Sequence, residues 1–316
     1  MIAGHSTRIE VLELLRRRGS ASADEIAGEL GITANAVRQH LANLEREGLV
    51  ASEPHRQKRG RPAFRFSLTA RADAIRPFIA MIRTVHWSST TPLPALRSAD
   101  ARELDRLSSG RFGIPVDWLM EAAGWQVARH CDGKTVVACG TGNNGGDALA
   151  AARHLHRWER LQGVACVDRA ALKGATATEA EALEKDGVQI ADDLVLDGAE
   201  IILDGLLGTG LSRQPTGRYA DWINAIDKAS AHVVAIDIPS GLEADSGRAF
   251  EPAIRADKTV TLGLPKVGLL EADGPLHAGE IWVADIGIPL RAYEAIGIHV
   301  PSAAFGARDC IRLEPR

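Results

Sequence analysis

A chain of 316 residues, 45% hydrophobic and 25% charged, is long enough for two domains with a sizeable core, and this composition excludes disordered and fibrous classes. Four cysteines, Cys131, Cys139, Cys166 and Cys310, form no C-x-x-C pair, which argues against a disulfide framework or zinc knuckle and for a reducing cytoplasm; no apolar run reaches the length of a membrane span, and the N-terminus lacks a signal-peptide core. The net charge of −4 is unevenly spread: residues 1–70 hold eleven Lys and Arg against eight Asp and Glu, so the remainder is the acidic part.

In chain order, Ile9, Leu12 and Leu15 at helical spacing predict a first helix that stops at Gly19. Ser22 and Glu25 form an S-x-x-E capping box for a short second helix whose apolar face is Ile26 and Leu30 and whose end is Gly31. A third helix, "ANAVRQHLANLEREG", puts Val37, Leu41 and Leu44 on one face, while Asn35, Arg38, Gln39 and Asn43 offer base-edge and phosphate-binding groups elsewhere; His40 reads as a core-edge residue. Two strand candidates follow, separated by the basic turn "HRQKRGRP". Three helices and a basic hairpin make a winged helix-turn-helix, and the stretch resembles the winged-helix domains of bacterial repressors whose wing carries R-G-R-P-A before an aromatic strand. The resemblance implies duplex DNA binding as a homodimer, with Arg38 and Gln39 in the major groove and Arg59 and Arg61 on phosphate or minor groove. Winged helices that dock only on protein are the alternative.

The domain is expected to span residues 1–82, followed by a Ser/Thr/Pro linker over 83–98. Residues 99–316 alternate short apolar strands ("KTVVACG", "GVACVD", "AEIILDG", "HVVAIDIPSG", "DKTVTLG", "GEIWVADIGIP") with amphipathic helices, which predicts a Rossmann-like α/β three-layer sandwich on a parallel central sheet. Ligands of such sheets bind beyond the carboxyl ends of the strands, where three segments are rich in glycine and side-chain oxygens: "GNNGGD" (142–147), "DGLLGTGLSR" (204–213) and "DIPSG" (237–241). Gly140, Gly142 and Gly145 spell a dinucleotide fingerprint, and Asp168 follows at the spacing expected for its acid. Asp147 would repel a pyrophosphate there, and it reads instead as the cap of the following helix. Asn144, Asp204 and Ser240, without a His or Cys cluster, suit a hard, weakly held cation such as potassium. Lys266 reads as a solvated loop residue, His154 and His156 as surface residues, and Trp118, Trp125 and Trp158 as core anchors.

Taken with "TLGLPKVGLL", "VADIGIP" and the upstream "ELDRLSSGRFGIPVDWLMEAAGWQVA", these loops resemble the YjeF-type N-terminal domain, the NAD(P)H-hydrate epimerases, over about residues 99–290. The resemblance implies interconversion of the R and S epimers of NADHX and NADPHX, cofactors hydrated at C6 of the nicotinamide ring. It places the ligand on Asn143, Asn144, Gly145, Gly146 and Asp147, on the phosphate-wrapping stretch Gly208, Thr209, Gly210, Leu211, Ser212, Arg213 and Gln214, and on Asp237. Potassium would rest on Asn144, Asp204 and Ser240. Asp204 is the expected acid/base, with a purely ion-binding role as the alternative. Ala122 and Ala148 stand where the family has asparagine and glycine. A dehydratase acting downstream would be a separate protein. A transcriptional regulator using the epimerase fold as a nucleotide sensor is the second functional reading, and an ordinary dehydrogenase the third.

Overall fold

The computed structural model describes residues 11–12, 14–15, 18–46, 48–55, 63–69, 93–301, 304–305 and 309–313, and the chain divides into two units, residues 1–84 and 85–316. In the first, Val11, Leu12, Leu14 and Leu15 are helical and buried. Strand β1 (Ser20–Ser22) leads into α1 (Ala23–Leu30) through the expected capping box: Ser22 N donates to Glu25 Oε2 at 2.7 Å, and Glu25 N to Ser22 Oγ at 3.3 Å. Gly31, at φ +68°, ends α1 in the left-handed region, and Thr33 Oγ1 accepts from Ala36 N at 3.2 Å to start α2 (Ala34–Arg46). Val37, Leu41 and Leu44 are buried, whereas Arg38 and Gln39 are exposed, with Arg38 Nη2 held 3.0 Å from Asp24 Oδ1. Strands β2 (Val50–His55) and β3 (Ala63–Leu68) pair antiparallel, and β1 joins the other edge of β3. This is a helix-turn-helix followed by a wing. The wing tip, including Arg59 and Arg61, lies outside the described residues.

The second unit is an eight-stranded sheet in the order β11-β10-β9-β8-β7-β4-β5-β6, parallel except for its edge pair β10–β11. Its elements run α3 (Ser98–Gly110), α4 (Val116–Ala128), β4 (Thr135–Cys139), α5 (Asn143–Arg157), β5 (Leu161–Cys166), α6 (Gly174–Lys185), β6 (Ile190–Ala191), β7 (Ile201–Gly205), α7 (Arg218–Asp227), β8 (His232–Ile236), β9 (Lys258–Leu262), α8 (Val267–Leu270), α9 (Gly274–His277), β10 (Glu280–Ala284), α10 (Leu290–Ala295) and β11 (Cys310–Arg312). Alternate residues of each strand face opposite layers. Val137, Cys139, Leu203, Val234 and Ile236 pack in one cluster with Ala123 and Val127 of α4 and with Leu149 and Leu155 of α5. Ala138, Ala165, Ile202, Val233 and Ala235 pack in another with Trp222, Ile223 and Ile226 of α7. The result is an α/β three-layer sandwich with a mostly parallel sheet. Leu149 and Leu155 are fully buried, and each such side chain contributes about 1.5–3 kcal/mol.

The chain enters the sheet at β4, runs outward through β5 to the edge strand β6, then crosses back to β7 on the other side of β4. The carboxyl ends of β4 and β7 therefore form the topological switch point, where a crevice opens in sheets of this kind. Leu93 and Leu96, in the stretch read as linker, are buried in this unit. Leu96 forms a parallel bridge with Lys266: Leu96 N donates to Pro265 O at 2.7 Å, and Val267 N to Leu96 O at 2.9 Å. Ser98 N and Oγ then donate to the Asp245 carboxylate at 2.5 and 2.8 Å, fixing the start of α3.

Candidate active site

Each loop beyond the switch point is shaped by close backbone approach. Gly140 N donates to Gly205 O at 2.9 Å, tying the ends of β4 and β7 together. A Cβ on Gly140 would meet Leu206 O at 1.8 Å, and one on Gly145 would meet Gly140 O at 2.0 Å, so only glycine fits at either position. Helix α5 begins at Asn143 with Gly142 as its cap, and no side chain caps it. The sequence reading of Asp147 as the cap is thus corrected. Both asparagines are already helical, so Asp147 falls in the second turn, and the first amides of α5 remain available to a ligand. Asp168 caps a single 3-10 turn instead, accepting from Ala170 N and Ala171 N at 3.1 and 3.2 Å.

A cavity opens over these loops. Its wall comes from Leu96, Ala101, Leu104 and Asp105; from Val116, Leu119 and Met120 of α4; from Asn143, Asn144 and Asp147; from Gly208 and Thr209; and from Asp237, Leu262, Lys266, Ile286 and Ile288. Asn143, Asn144, Asp147, Gly208, Thr209 and Asp237 of the sequence-read ligand residues meet here. Gly145 and Gly146 lie buried beneath, while Gly210, Ser212, Arg213 and Gln214 are exposed and Leu211 is half-buried, away from this wall.

Lys266, read from the sequence as solvated, is 2% exposed. Its Nζ forms an ion pair with Asp237 Oδ1 and donates to Leu262 O at 2.8 Å and Leu264 O at 3.1 Å. The turn after β9 folds the lysine back over its own strand end, an effect of tertiary placement that loop composition does not encode. Asp237 also accepts from Leu262 N at 3.0 Å and Thr261 Oγ1 at 3.2 Å, and its φ of +64° lies in the left-handed region, a strained setting for a residue other than glycine. Burial pushes the Asp147 carboxyl well above the ordinary carboxylate range, with Asp237, Asp105 and Glu179 adding to the shift and Lys266 opposing it. At the mouth, Asp105 is exposed to solvent on one side, yet partial desolvation by the walls raises its carboxyl too, helped by Asp237.

Asp204 lies elsewhere. It is 0% exposed, does not line the cavity, and accepts from Ser240 Oγ at 2.6 Å, Ser240 N at 2.8 Å and Leu206 N at 3.2 Å. Burial raises its pKa to about 6 despite these donors. Asn144 Nδ2 donates to Leu207 O at 3.1 Å, and Ser240 Oγ lies 3.3 Å from the same oxygen, so one connected polar cluster runs from Asn144 on the cavity wall to the buried Ser240 and Asp204. Among the described residues no group of three or more His, Cys, Asp or Glu side chains could hold a metal ion.

Three residues set aside as structural are placed differently by α4 and α5. His154 is buried, edge-on to Trp125 at 5.2 Å, rather than on the surface, whereas Trp118, at 65% exposed, and Trp125, at 39%, are not core anchors. Trp158 packs against the core in part, and His156 is exposed. Ala122 lies on this outer side with Trp118 and Trp125, facing away from the cavity that Leu119 and Met120 line. Ala148 is buried inside α5, and a Cβ on Gly205 would meet its Cβ at 2.4 Å, so the alanine fits because β7 carries glycine opposite it.

Comparison with known proteins matches this architecture. The YjeF-related protein N-terminus family matches residues 116–268, and a helix-turn-helix domain family matches residues 3–53. An NAD(P)H-hydrate epimerase of Rhodopirellula baltica is 35% identical over 226 residues, 68% of this chain and 93% of the relative. The NAD(P)H-hydrate epimerase of Levilactobacillus brevis is 37% identical, over 61% of this chain and 94% of its own. The chain belongs to the NAD(P)H-hydrate epimerase family, a family of isomerases. A bifunctional NAD(P)H-hydrate repair enzyme of Moorella thermoacetica is 39% identical over 61% of this chain, which spans 40% of that longer relative. The crystal structure of yeast ynu0, at 22% identity, covers 70% of this chain and all of its own with a TM-score of 0.61, and so shares the fold. The motifs after β4, β7 and β8 of this epimerase-family chain thus stand on the family's own framework.

Proposed function

We propose that the C-terminal unit interconverts the R and S epimers of NADHX and NADPHX at C6, and that residues 1–82 bind duplex DNA as a homodimer, with 83–98 joining them to an epimerase domain over 99–316. The observation that carries the first half is the convergence of the loops after β4, β8 and β9, with Gly208 and Thr209 after β7, on one cavity at the switch point, where the buried Asp147 and the half-buried Asp237 share the wall with apolar side chains. Asn143, Asn144 and the amides of α5 would hold ligand, and Gly208, Thr209, Gly210, Leu211, Ser212, Arg213 and Gln214 would run along its phosphates, with Arg213 exposed and available to them. The Lys266 pair fixes Asp237 at the cavity wall.

Potassium on Asn144, Asp204 and Ser240 is supported by the donor set, which is oxygen-rich and includes Leu207 O, and by Asp204 itself, a fully buried carboxylate with no cationic partner among the described residues. When bound, such an ion would supply positive charge under the ligand loop. The enclosure of Asp204 favours this ion-binding role over the acid/base role. A reducing cytoplasmic setting is supported by four free cysteines, and no helix among the described residues is long and apolar enough to cross a membrane.

The test is direct: purified protein mixed with both epimers of NADHX or NADPHX, with a stereospecific dehydratase added as a trap, should consume the untrapped epimer faster than the protein-free control. No acceleration would sink the enzymatic reading. One observation favours the second reading, a regulator that senses nucleotide: the segment arriving from the DNA-binding unit ends in the cavity wall at Leu96, hydrogen-bonded to the loop that carries Lys266. Under that reading, NADPHX changes operator affinity while the epimers stay unequilibrated.

A further inference from the structure

We propose that Asp147 is the acid of the reaction: it releases the C6 hydroxyl as water, leaving a ring cation that the cavity's carboxylates hold until water adds back. This rests on the epimerase reading above. Asp105 is exposed to solvent at the cavity wall, and the other candidate carboxylates are distinguished by what occupies them. Asp204 is enclosed and takes three donors, and Asp237 is committed to Lys266, Thr261 and Leu262 N. Asp147 is 9% exposed, lines the cavity beside Leu119, Met120, Leu262 and Ile286, and has no hydrogen-bond partner among the described residues. Burial among apolar side chains without a donor raises such a carboxyl and favours its protonated form, which is the form a general acid uses.

The chemistry balances with the groups present. Asp147 gives its proton to the C6 oxygen; the C6–O bond breaks, its electron pair leaves with water, and the lone pair of ring nitrogen N1 closes an N1=C6 bond. The cation is planar at C6. Water then adds to either face and returns one proton to the Asp147 carboxylate, directly or through a second water, and addition to the opposite face inverts the centre. No oxidant or reductant is needed. The charges favour this route over ring opening. Once Asp147 has given up its proton, it joins Asp105 and Asp237 against the single ammonium of Lys266, a net negative wall suited to a cation. Opening the ring at C6–N1 would begin from a C6 alkoxide, and the one cavity ammonium is already enclosed by Asp237 Oδ1, Leu262 O and Leu264 O.

The experiment uses the full chain in water enriched in oxygen-18. Wild type should place label at C6 at least once per inversion, above the protein-free control, whereas inversion without label overturns the proposal and needs no variant. Asp147→Asn keeps the shape and removes the acid: kcat should fall about 100-fold or more, with KM changed far less. Asp147→Glu should recover part of the rate with a displaced pH profile. The groups that face Asp147 are Asp237, Asp105 and Glu179, which raise its carboxyl, and Lys266, which lowers it. Because the protonated form is active, wild-type kcat should fall as pH rises through that pKa, and the Asn variant should lose this limb. An unchanged thermal melt shows that the variant is folded. A folded Asn variant with wild-type rate overturns the proposal alone, while an inactive wild type overturns the epimerase reading and this step with it.

Discussion

Gly142 caps α5 and Gly145 lies three residues on in its first turn, yet they answer different constraints. A Cβ on Gly145 would sit 2.0 Å from Gly140 O, while one on Gly142 meets nothing within 4 Å. Gly145→Ala should therefore destabilise the unit by about 1–3 kcal/mol and weaken ligand binding, with Gly142→Ala within about 1 kcal/mol of wild type in the same urea titration. Asp204 gives a second prediction. Its folded pKa of about 6 exceeds the ordinary 3.8, so the folded state holds the proton more tightly than the unfolded chain. Stability attributable to this group is full below about pH 4 and is lost as pH rises through about 6, by up to about 3 kcal/mol. Urea unfolding in potassium-free buffer at pH 5 and pH 8 should show a smaller loss in Asp204→Asn than in wild type, and added potassium should shrink the wild-type loss. Equal losses in both proteins would refute this assignment.

At the scale of the element, the proposed DNA binding divides between helix α2 and the wing. Arg38 is exposed on α2, so Arg38→Ala should narrow the affinity gap between a preferred site and random duplex, whereas the double change of Arg59 and Arg61 to alanine should weaken all duplexes and flatten the salt dependence by about two counterions. Gel-shift titrations of the full chain from about 50 mM salt upward separate the two outcomes, and absence of binding at the lowest salt would favour a protein-docking winged helix. Much of this architecture is legible locally. The Ser22–Glu25 capping box, the Gly31 stop and the apolar face of α2 are short-range signals, and each is present. The loops after β4, β7 and β8 are legible as well, because glycine and side-chain oxygens at strand ends have few other uses. What covers a helix is not. Trp118 and His154 both fit amphipathic patterns, and which of them is buried depends on how α4 crosses α5, a fact of tertiary packing. Lys266 escapes for the same reason: nothing in "GLPKVGLL" says that the loop turns back onto β9.

Over the whole molecule, the cavity owes its roof to a piece of chain that precedes the first helix of the α/β unit. Leu93 and Leu96 are buried, and two backbone hydrogen bonds join Leu96 to the Lys266 loop. Removing residues 1–92 should leave the melting of the α/β unit nearly unchanged, whereas removing 1–98 strips both leucines and the Ser98–Asp245 hydrogen bonds and should cost about 3–6 kcal/mol, read as a lower melting temperature and a raised KM. Equal melting of the two truncations would show that the segment contributes nothing. The same seam decides where this chain tolerates being lengthened. A glycine-serine spacer placed directly before Leu93 leaves both buried leucines in place, but a spacer inserted between Leu96 and Ser98 shifts α3, and with it Leu104 and Asp105, off the cavity. A different N-terminal module can therefore be grafted onto this enzyme fold only if the join is made before Leu93.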